Sequence, residues 1–258
     1  MNAPGYEPQL AKAIATLGRP GFEEALWHML LALVRPDNML VLAYSDGGPA
    51  LELFRRAGDA RVFGKLQSTY MAGAFRLSPF YGLHLQRAEE GLYRLRDIAP
   101  DAFQRSRFYV EYFGQTTIID ELDFTVWLGA GLSLNLFLGR DGQSGRVFSP
   151  AEIAACRRIA PVIAELARAH WPVPKLAAQP VQDTPAKLAA ATEARLGIAL
   201  SPRQAQVALL ILKGHSTLSI GLNLGLSPQT VKVFRKQLYA RCGISSQAEL
   251  FALMLPLL

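Results

Sequence analysis

The chain has 258 residues, half of them hydrophobic and 19% charged, with a formal net charge of +6. That length suits two domains, each able to bury its own core, and the apolar content excludes an intrinsically disordered chain. Two distant cysteines, Cys156 and Cys242, form neither a disulfide framework nor a metal-ligand spacing, so reduced thiols in a reducing cytoplasm are expected.

The N-terminus, MNAPGYEPQL, lacks the basic and apolar regions of a secretory signal. Helical patterns follow near 7–17 and 22–34. The greasiest stretch, LWHMLLALVRPDNMLVLAY, is cut by Arg35-Pro36-Asp37-Asn38 into pieces shorter than the about 20 apolar residues of a membrane span. A soluble, cytoplasmic protein with no membrane partner is expected. Strand patterns occupy NMLVLAY, PALELFRRA, EGLYRL, DFTVWL and LSLNLFLG, and further helical patterns fall near 60–76, 101–113 and 150–170. The short loop signals DGGP and GRDGQSG leave no room for crossover helices. Residues 1–170 therefore read as an α+β domain, an antiparallel sheet flanked by helices, of the GAF/PAS sensor kind. Its last helix opens on a Ser149…Glu152 capping box with Pro150 in the first turn. The apolar residues Ile153, Ile159, Val162, Ile163 and Leu166 exceed what one sheet face needs. Part of this helix, with Phe251 and Leu255, is expected to join a homodimer.

No enzyme motif survives inspection: there is no Gly-x-Ser-x-Gly, no phosphate loop and no paired His/Glu at metal spacing. The histidines, at 28, 84, 170 and 215, sit singly. Catalytic residues, metal and cofactors are all read as none. A phospho-receiver domain is excluded because Asp46 stands alone and the strands are not parallel.

Residues 171–186 carry prolines at 172, 174, 180 and 185, which removes donors and forces extended backbone, so this stretch reads as a linker. Beyond it, residues 187–258 form a smaller domain whose charge differs from the rest. From Leu196 onward Arg203, Lys213, Lys232, Arg235, Lys236 and Arg241 face a lone acid, Glu249. Helix punctuation is clear there. Ser201-Pro202 with Gln204 opens a first helix that Gly214 stops, and Ser216 caps a short second one ending near Gly225. Ser227-Pro228 opens a third that runs to Arg241 before Gly243, and Ser246 with Glu249 opens the last. Four short helices with tight turns predict an all-α helix-turn-helix fold.

On a wheel of about 100° per residue, Val231, Phe234, Leu238 and Cys242 of the third helix share the packing side. Gln229, Lys232, Val233, Lys236 and Ala240 share the other, with Arg235 and Tyr239 at the boundary. A face with two lysines, a small apolar residue and no carboxylate suits the DNA major groove. Ser227 and Thr230, at the helix N-terminus, suit a phosphate.

The stretches LSPRQAQVALLILKGHS and LGLSPQTVKVFRKQLYARCGISSQAEL resemble the DNA-binding domain of LuxR-type bacterial transcription regulators. The resemblance implies that Thr230 and Lys232 serve the DNA backbone or groove, and that Lys232, Val233 and Lys236 face the bases. Three positions depart from the family pattern. Leu218 stands where a phosphate-binding lysine is usual, Phe234 where a histidine is, and Gln204 where a glutamate is. A looser resemblance, at TYMAGAFRLSPFYGL, is to autoinducer-binding domains of quorum-sensing LuxR regulators. There Ser78 replaces the family's amide-binding Asp, which argues against an acyl-homoserine lactone.

The sequence thus predicts a one-component transcription regulator. Double-stranded DNA and a second copy of the chain are its expected partners, with RNA polymerase added for an activator. A small effector, mostly apolar or aromatic, is expected in a cavity between the sheet and the helices near 61–85. Its lining is read as Tyr70, Phe75, Tyr81, Tyr93 and Trp127, with Ser78 or a tyrosine hydroxyl as polar anchor. Strand alternation sets Phe124 and Val126 against Thr125 and Trp127, and Trp127 is chosen for its area and N–H donor. The alternative is a ligand-free dimerisation or protein-interaction domain.

Overall fold

The structure, a computed structural model, describes residues 5–129, 131–171 and 184–257. Two compact units result, each assembled from stretches distant in sequence. The first comprises Met1–Phe63, Leu83–Asp97 and Thr117–Gln179; the second comprises Gly64–Gly82, Ile98–Thr116 and Pro180–Leu258.

In chain order the N-terminal elements are α1 (Glu7–Ala15), α2 (Phe22–Val34), β1 (Asn38–Ser45), β2 (Leu51–Ala57), α3 (Pro79–Leu85) and β3 (Gly91–Arg94). Next come α4 (Leu95–Ile98), α5 (Arg107–Glu111), β4 (Ile118–Gly129), β5 (Leu132–Asp141) and α6 (Pro150–His170). The five strands form one sheet in the order β2-β1-β5-β4-β3, with every pair antiparallel, as the loop lengths predict.

One face of that sheet is apolar. Met39 and Val41 of β1, Leu122, Phe124 and Val126 of β4, and Leu134, Leu136 and Leu138 of β5 bury against α2 and α6. Each such side chain contributes about 1.5–3 kcal/mol when withdrawn from water. The Ser149 capping box forms in both directions and fixes the start of α6. Ile153, Ile159, Ile163 and Leu166 of α6 all enter this core, while Val162 stays 37% exposed. Four of the five apolar residues of α6 named for a dimer surface are therefore buried within the chain, because α6 contacts both the sheet and α2, and Val162 is left on its outer side. Arg140, 2% exposed, ties the layers together. Its Nη2 donates to the Val34 carbonyl at the end of α2 (2.6 Å) and to Glu152 Oε1 of α6 (2.7 Å).

Two segments expected as helices are broken into shorter pieces. Between 60 and 77 the chain makes a 3-10 turn at Ala60–Phe63, a π turn at Leu66–Met71 and another 3-10 turn at Ala74–Leu77. Gly73, at φ 152°, interrupts the run in a conformation other residues rarely adopt. The segment expected as a helix over 101–113 splits similarly, because Ser106 leaves helical geometry to accept the Tyr109 N–H (3.1 Å) and cap α5.

The second unit carries α7 (Thr184–Leu196), α8 (Pro202–Lys213), α9 (Thr217–Leu224), α10 (Pro228–Cys242) and α11 (Gln247–Met254). The last four are the helices that the sequence punctuation predicts, and α10 packs on both α8 and α9. Ser201 and Gln204 form the predicted capping box, and Gly214, Gly225 and Gly243 end their helices in the left-handed region. At Ser246 the box is altered, since Glu249 accepts from the Ser245 N–H and the Ser246 hydroxyl rather than from the Ser246 N–H. Helix α7 begins inside the stretch read as linker; residues 172–183 of that stretch lie outside the described residues. Phe251, expected at a dimer surface, is buried with Leu250 and Met254. Residues 98–116 pack on these helices within the unit: a Cβ at Gly214 would lie 2.8 Å from Ser106 Cβ and 3.0 Å from Phe103 Cα. No helix among the described residues is long and apolar enough to cross a membrane.

Candidate nucleic-acid interface and sensor face

The third helix of the helix-turn-helix, α10, follows its wheel closely. Ser227 caps it by accepting the Thr230 N–H (3.0 Å), and its hydroxyl lies 2.7 Å from that of Thr230. Pro228 occupies the first turn, where a missing donor costs nothing. Val231 and Leu238 are buried, and Phe234 and Cys242 are half-buried beside them. Gln229, Lys232, Val233 and Lys236 are exposed, with Val233 at 47%. The Arg235 guanidinium sits 5.3 Å from the Tyr239 ring centroid, which holds its charge along the helix edge. All seven residues singled out in the sequence thus lie at the cap or along α10, which carries no acid.

The preceding helix, α9, differs in character. Leu218, in the place of the usual lysine, is 60% exposed, and Leu222 one turn later is 79% exposed. Its N-terminal donors face a carboxylate from the same unit. The Ser216 N–H donates to Asp101 Oδ1 (3.2 Å) and the Ser216 hydroxyl to Asp101 Oδ2 (2.6 Å). These bonds hold the Asp101 carboxyl below the usual carboxylate range.

The candidate effector residues fall in two groups. Tyr70, Phe75, Ser78 and Tyr81 belong to the second unit, where Tyr70 stands 6.3 Å from Phe75 and Phe75 5.1 Å from Tyr81, ring to ring. Tyr70 also packs on Tyr112 at 4.9 Å, and Ser78 is buried. Tyr93 and Trp127 belong to the first unit and share the sheet face opposite the apolar core. The Trp127 indole N–H donates to the Ala88 carbonyl (2.9 Å), and its ring stacks on His84 with centroids 5.4 Å apart. Tyr93 is half-buried, donates its hydroxyl to the Glu89 carbonyl (2.8 Å), and lines a groove of about 580 Å³ with Arg157, Glu165 and Arg168 of α6.

The sequence reading missed the polar residues on that same face. Asp123, Thr125, Ser133 and Asn135 are all buried to within 1% of complete, on the side of β4 and β5 from which the sequence reading took only Trp127. His84 is fully buried too, its Nδ1 2.8 Å from the Ser133 hydroxyl and its Nε2 3.2 Å from Asp46 Oδ1. Burial drives the His84 pKa down to about 4, against the pull of Asp46. Burial likewise raises Asp123 well above the usual carboxylate range and pushes Glu121 up to about 8. The alternating polar residues of SLNLFLG were the available signal, but alternation alone does not say whether the polar side meets water. No group of three or more metal-binding side chains occurs among the described residues.

A helix-turn-helix with an acid-free recognition helix, joined to an α+β domain, defines a class of DNA-binding protein. Residues 199–254 match bacterial regulatory proteins of the luxR family. An HTH-type transcriptional regulator from the exeN 3′ region of Aeromonas salmonicida is 36% identical over 155 residues, covering 57% of this chain and 78% of that protein. The chain belongs to the luxR family of bacterial regulatory proteins. It is a DNA-binding transcription regulator, and the family is one of regulators rather than enzymes. The crystal structure of the VqsR LBD domain from Pseudomonas aeruginosa is similar with a TM-score of 0.54 and 26% identity. The match covers 64% of this chain and 95% of that one. SdiA of Escherichia coli aligns over 98% of this chain and 99% of its own at 13% identity and a TM-score of 0.40. By its likeness to the VqsR LBD domain, the N-terminal fold is like that of a ligand-binding domain.

Proposed function

We propose that this regulator reads an operator through α10 as a homodimer, and that a small molecule held by its N-terminal domain controls it in the cytoplasm. The observation that carries the DNA half is the exposed, acid-free face of α10, with Lys232, Val233 and Lys236 side by side. Lysines there reach guanine acceptors, and a valine reaches a thymine methyl. Ser227, Gln229, Thr230 and Arg235 serve the phosphates and fix the register. One small helix-turn-helix gains limited affinity, so two copies reading half-sites about 10 bp apart are the expected assembly. The likeness to a domain described as an LBD supports the sensing half. An activator of this kind would also touch RNA polymerase.

Fluorescence anisotropy on operator fragments selected from random DNA tests the DNA half. Lys232→Ala and Lys236→Ala are expected to weaken binding and relax sequence choice; unchanged affinity in both rejects the assignment. Mass spectrometry of small molecules released on denaturing the purified chain tests the sensing half. A chain that releases none, from any growth condition, leaves the dimerisation reading in place. Light scattering at micromolar concentration, with and without DNA, tests the dimer.

A further inference from the structure

We propose that the buried polar face of the β4–β5 ladder binds a small molecule rich in hydrogen-bond donors, with a protonated amine at Asp123 and an N–H or O–H at Asn135. The proposal rests on the reading that the N-terminal domain senses a small molecule, and it names the chemistry of what is sensed.

The polarity of this face follows from one acceptor. The Asp46 carboxylate, which also accepts from Arg87, can only accept, so the His84 nitrogen beside it carries the proton. The opposite tautomer would aim a lone pair at a carboxylate 3.2 Å away. With its proton on Nε2 and its charged form disfavoured by burial, His84 offers Nδ1 as an acceptor to the Ser133 hydroxyl. The Ser133 oxygen is then free to accept, and Asn135 Nδ2 donates to it (3.0 Å). That fixes the orientation of the Asn135 amide, which crystallographic density alone rarely does. What the chain of bonds presents at its end is Asn135 Oδ1, a buried acceptor with no hydrogen-bond partner.

A second acceptor stands close by. Thr125, directly opposite Asn135 across the ladder, donates its hydroxyl to Asp123 Oδ2 (2.6 Å), which leaves Asp123 Oδ1 buried without a partner. Asp123 lies opposite Phe137 and diagonal to Asn135, a spacing of roughly 7–8 Å that one small molecule spans. Among the described residues no lysine or arginine bonds to Asp123, and Glu121 shares its face. An ionised Asp123 therefore lacks a counter-charge, and the Phe137 ring opposite it suits an ammonium further.

Buried polar groups in folded proteins almost always find partners, and an orphan acceptor bears its whole desolvation cost. Two orphans on one face, one held in place by the hydrogen bonds His84–Ser133–Asn135, call for a donor from outside the chain. A mostly apolar ligand, the expectation from composition, would leave both unsatisfied.

Thermal unfolding of the dialysed full chain tests this with Asp123→Leu, Asp123→Asn and Asn135→Leu. Without additive, the two leucine variants are expected to melt about 2–4 °C above the parent, because an uncompensated acceptor is gone. Agmatine, 1,4-diaminobutane and phenethylamine, at millimolar concentration, serve as amine probes, with their N-acetyl forms as controls. At least one amine is expected to raise the melting temperature of the parent chain but not of Asp123→Asn, which keeps the side-chain shape without the charge. Leucine variants that melt lower than the parent overturn the proposal, since the acceptors are then satisfied within the folded chain. Equal stabilisation by acetylated probes, undiminished in Asp123→Asn, also overturns it while leaving small-molecule sensing intact. Lack of any shift with all three amines ends the ammonium assignment. Release of no small molecule from the purified chain bears on the sensing reading alone.

Discussion

The recognition helix and the polar face of the sheet both carry chemistry, and they present it in opposite ways. On α10 the chemistry is a solvated cationic surface, with Lys232, Val233 and Lys236 all exposed. On β4 and β5 it is a set of buried acceptors, Asp123 and Asn135, at 0% exposure. A charge in water costs the fold little, so α10 is free to be shaped by its partner's phosphates and bases. A buried acceptor costs stability until something bonds it, so the sheet face carries its requirement into the folding energetics. The difference makes the two faces separable by experiment: variants on α10 are expected to change DNA affinity, and variants on the sheet to change stability.

The largest expected effect tests that separation from the apolar side. Phe124→Ala, in the core behind the polar face and 1% exposed, should cost about 3–5 kcal/mol in denaturant unfolding. DNA affinity per folded molecule should not change; a parallel loss of both would break the comparison. Next, Lys232→Ala and Lys236→Ala should each weaken operator binding by about 1–3 kcal/mol. Their unfolding midpoints should stay within about 0.5 kcal/mol of the parent, as for other exposed positions. Arg235→Ala sharpens the picture of α10 itself. If its guanidinium meets phosphate, affinity falls alike for all sequences, and the slope of log affinity against log salt drops by about 1.

The last prediction concerns His84, which faces Asp46 and Ser133 on the sheet side, with Arg87 bonded to the same Asp46. Its folded pKa, about 4, lies below the ordinary value of 6.5. Between those two values the unfolded chain binds a proton that the native chain does not. Stability from this group is therefore complete above pH 6.5 and is lost as the pH falls towards 4. Glu121 and Asp123, whose raised pKa values act in the opposite sense over this range, are kept in both chains, so the His84 loss should appear as the difference between the parent and His84→Gln when unfolding is followed from pH 7.5 to 4.5. A variant as pH-dependent as the parent would place the titration elsewhere.

Much of the molecule was legible before any coordinates. The four helices of the DNA-binding part follow from Ser201, Ser216, Ser227 and Ser246 at their starts and from Gly214, Gly225 and Gly243 at three of their ends. Caps and stops act over one turn of chain, so local sequence suffices to place them. The exposed face of α10 was equally readable, because a helix wheel needs only the period. The antiparallel sheet followed from alternation and short loops. Less local features were not legible. The stretches 60–76 and 101–113 have helical composition, yet Gly73 and Ser106 break them into single turns, and propensity yields to tertiary context there.

The sequence by itself determined which residues alternate along β4 and β5, and only the tertiary structure decided that both sides of that alternation are buried. Trp127 was read as lining a cavity, yet nothing in the alternation said that Thr125 and Asn135 beside it are buried as completely as they are. The same holds for α6, most of whose apolar residues are buried against the sheet and α2, leaving Val162 outside. Periodicity is a property of neighbouring residues, whereas burial belongs to everything that folds against them. The contacts that bury these residues connect positions far apart in the chain, as Ser133 and His84 are, and no local pattern encodes such a pairing.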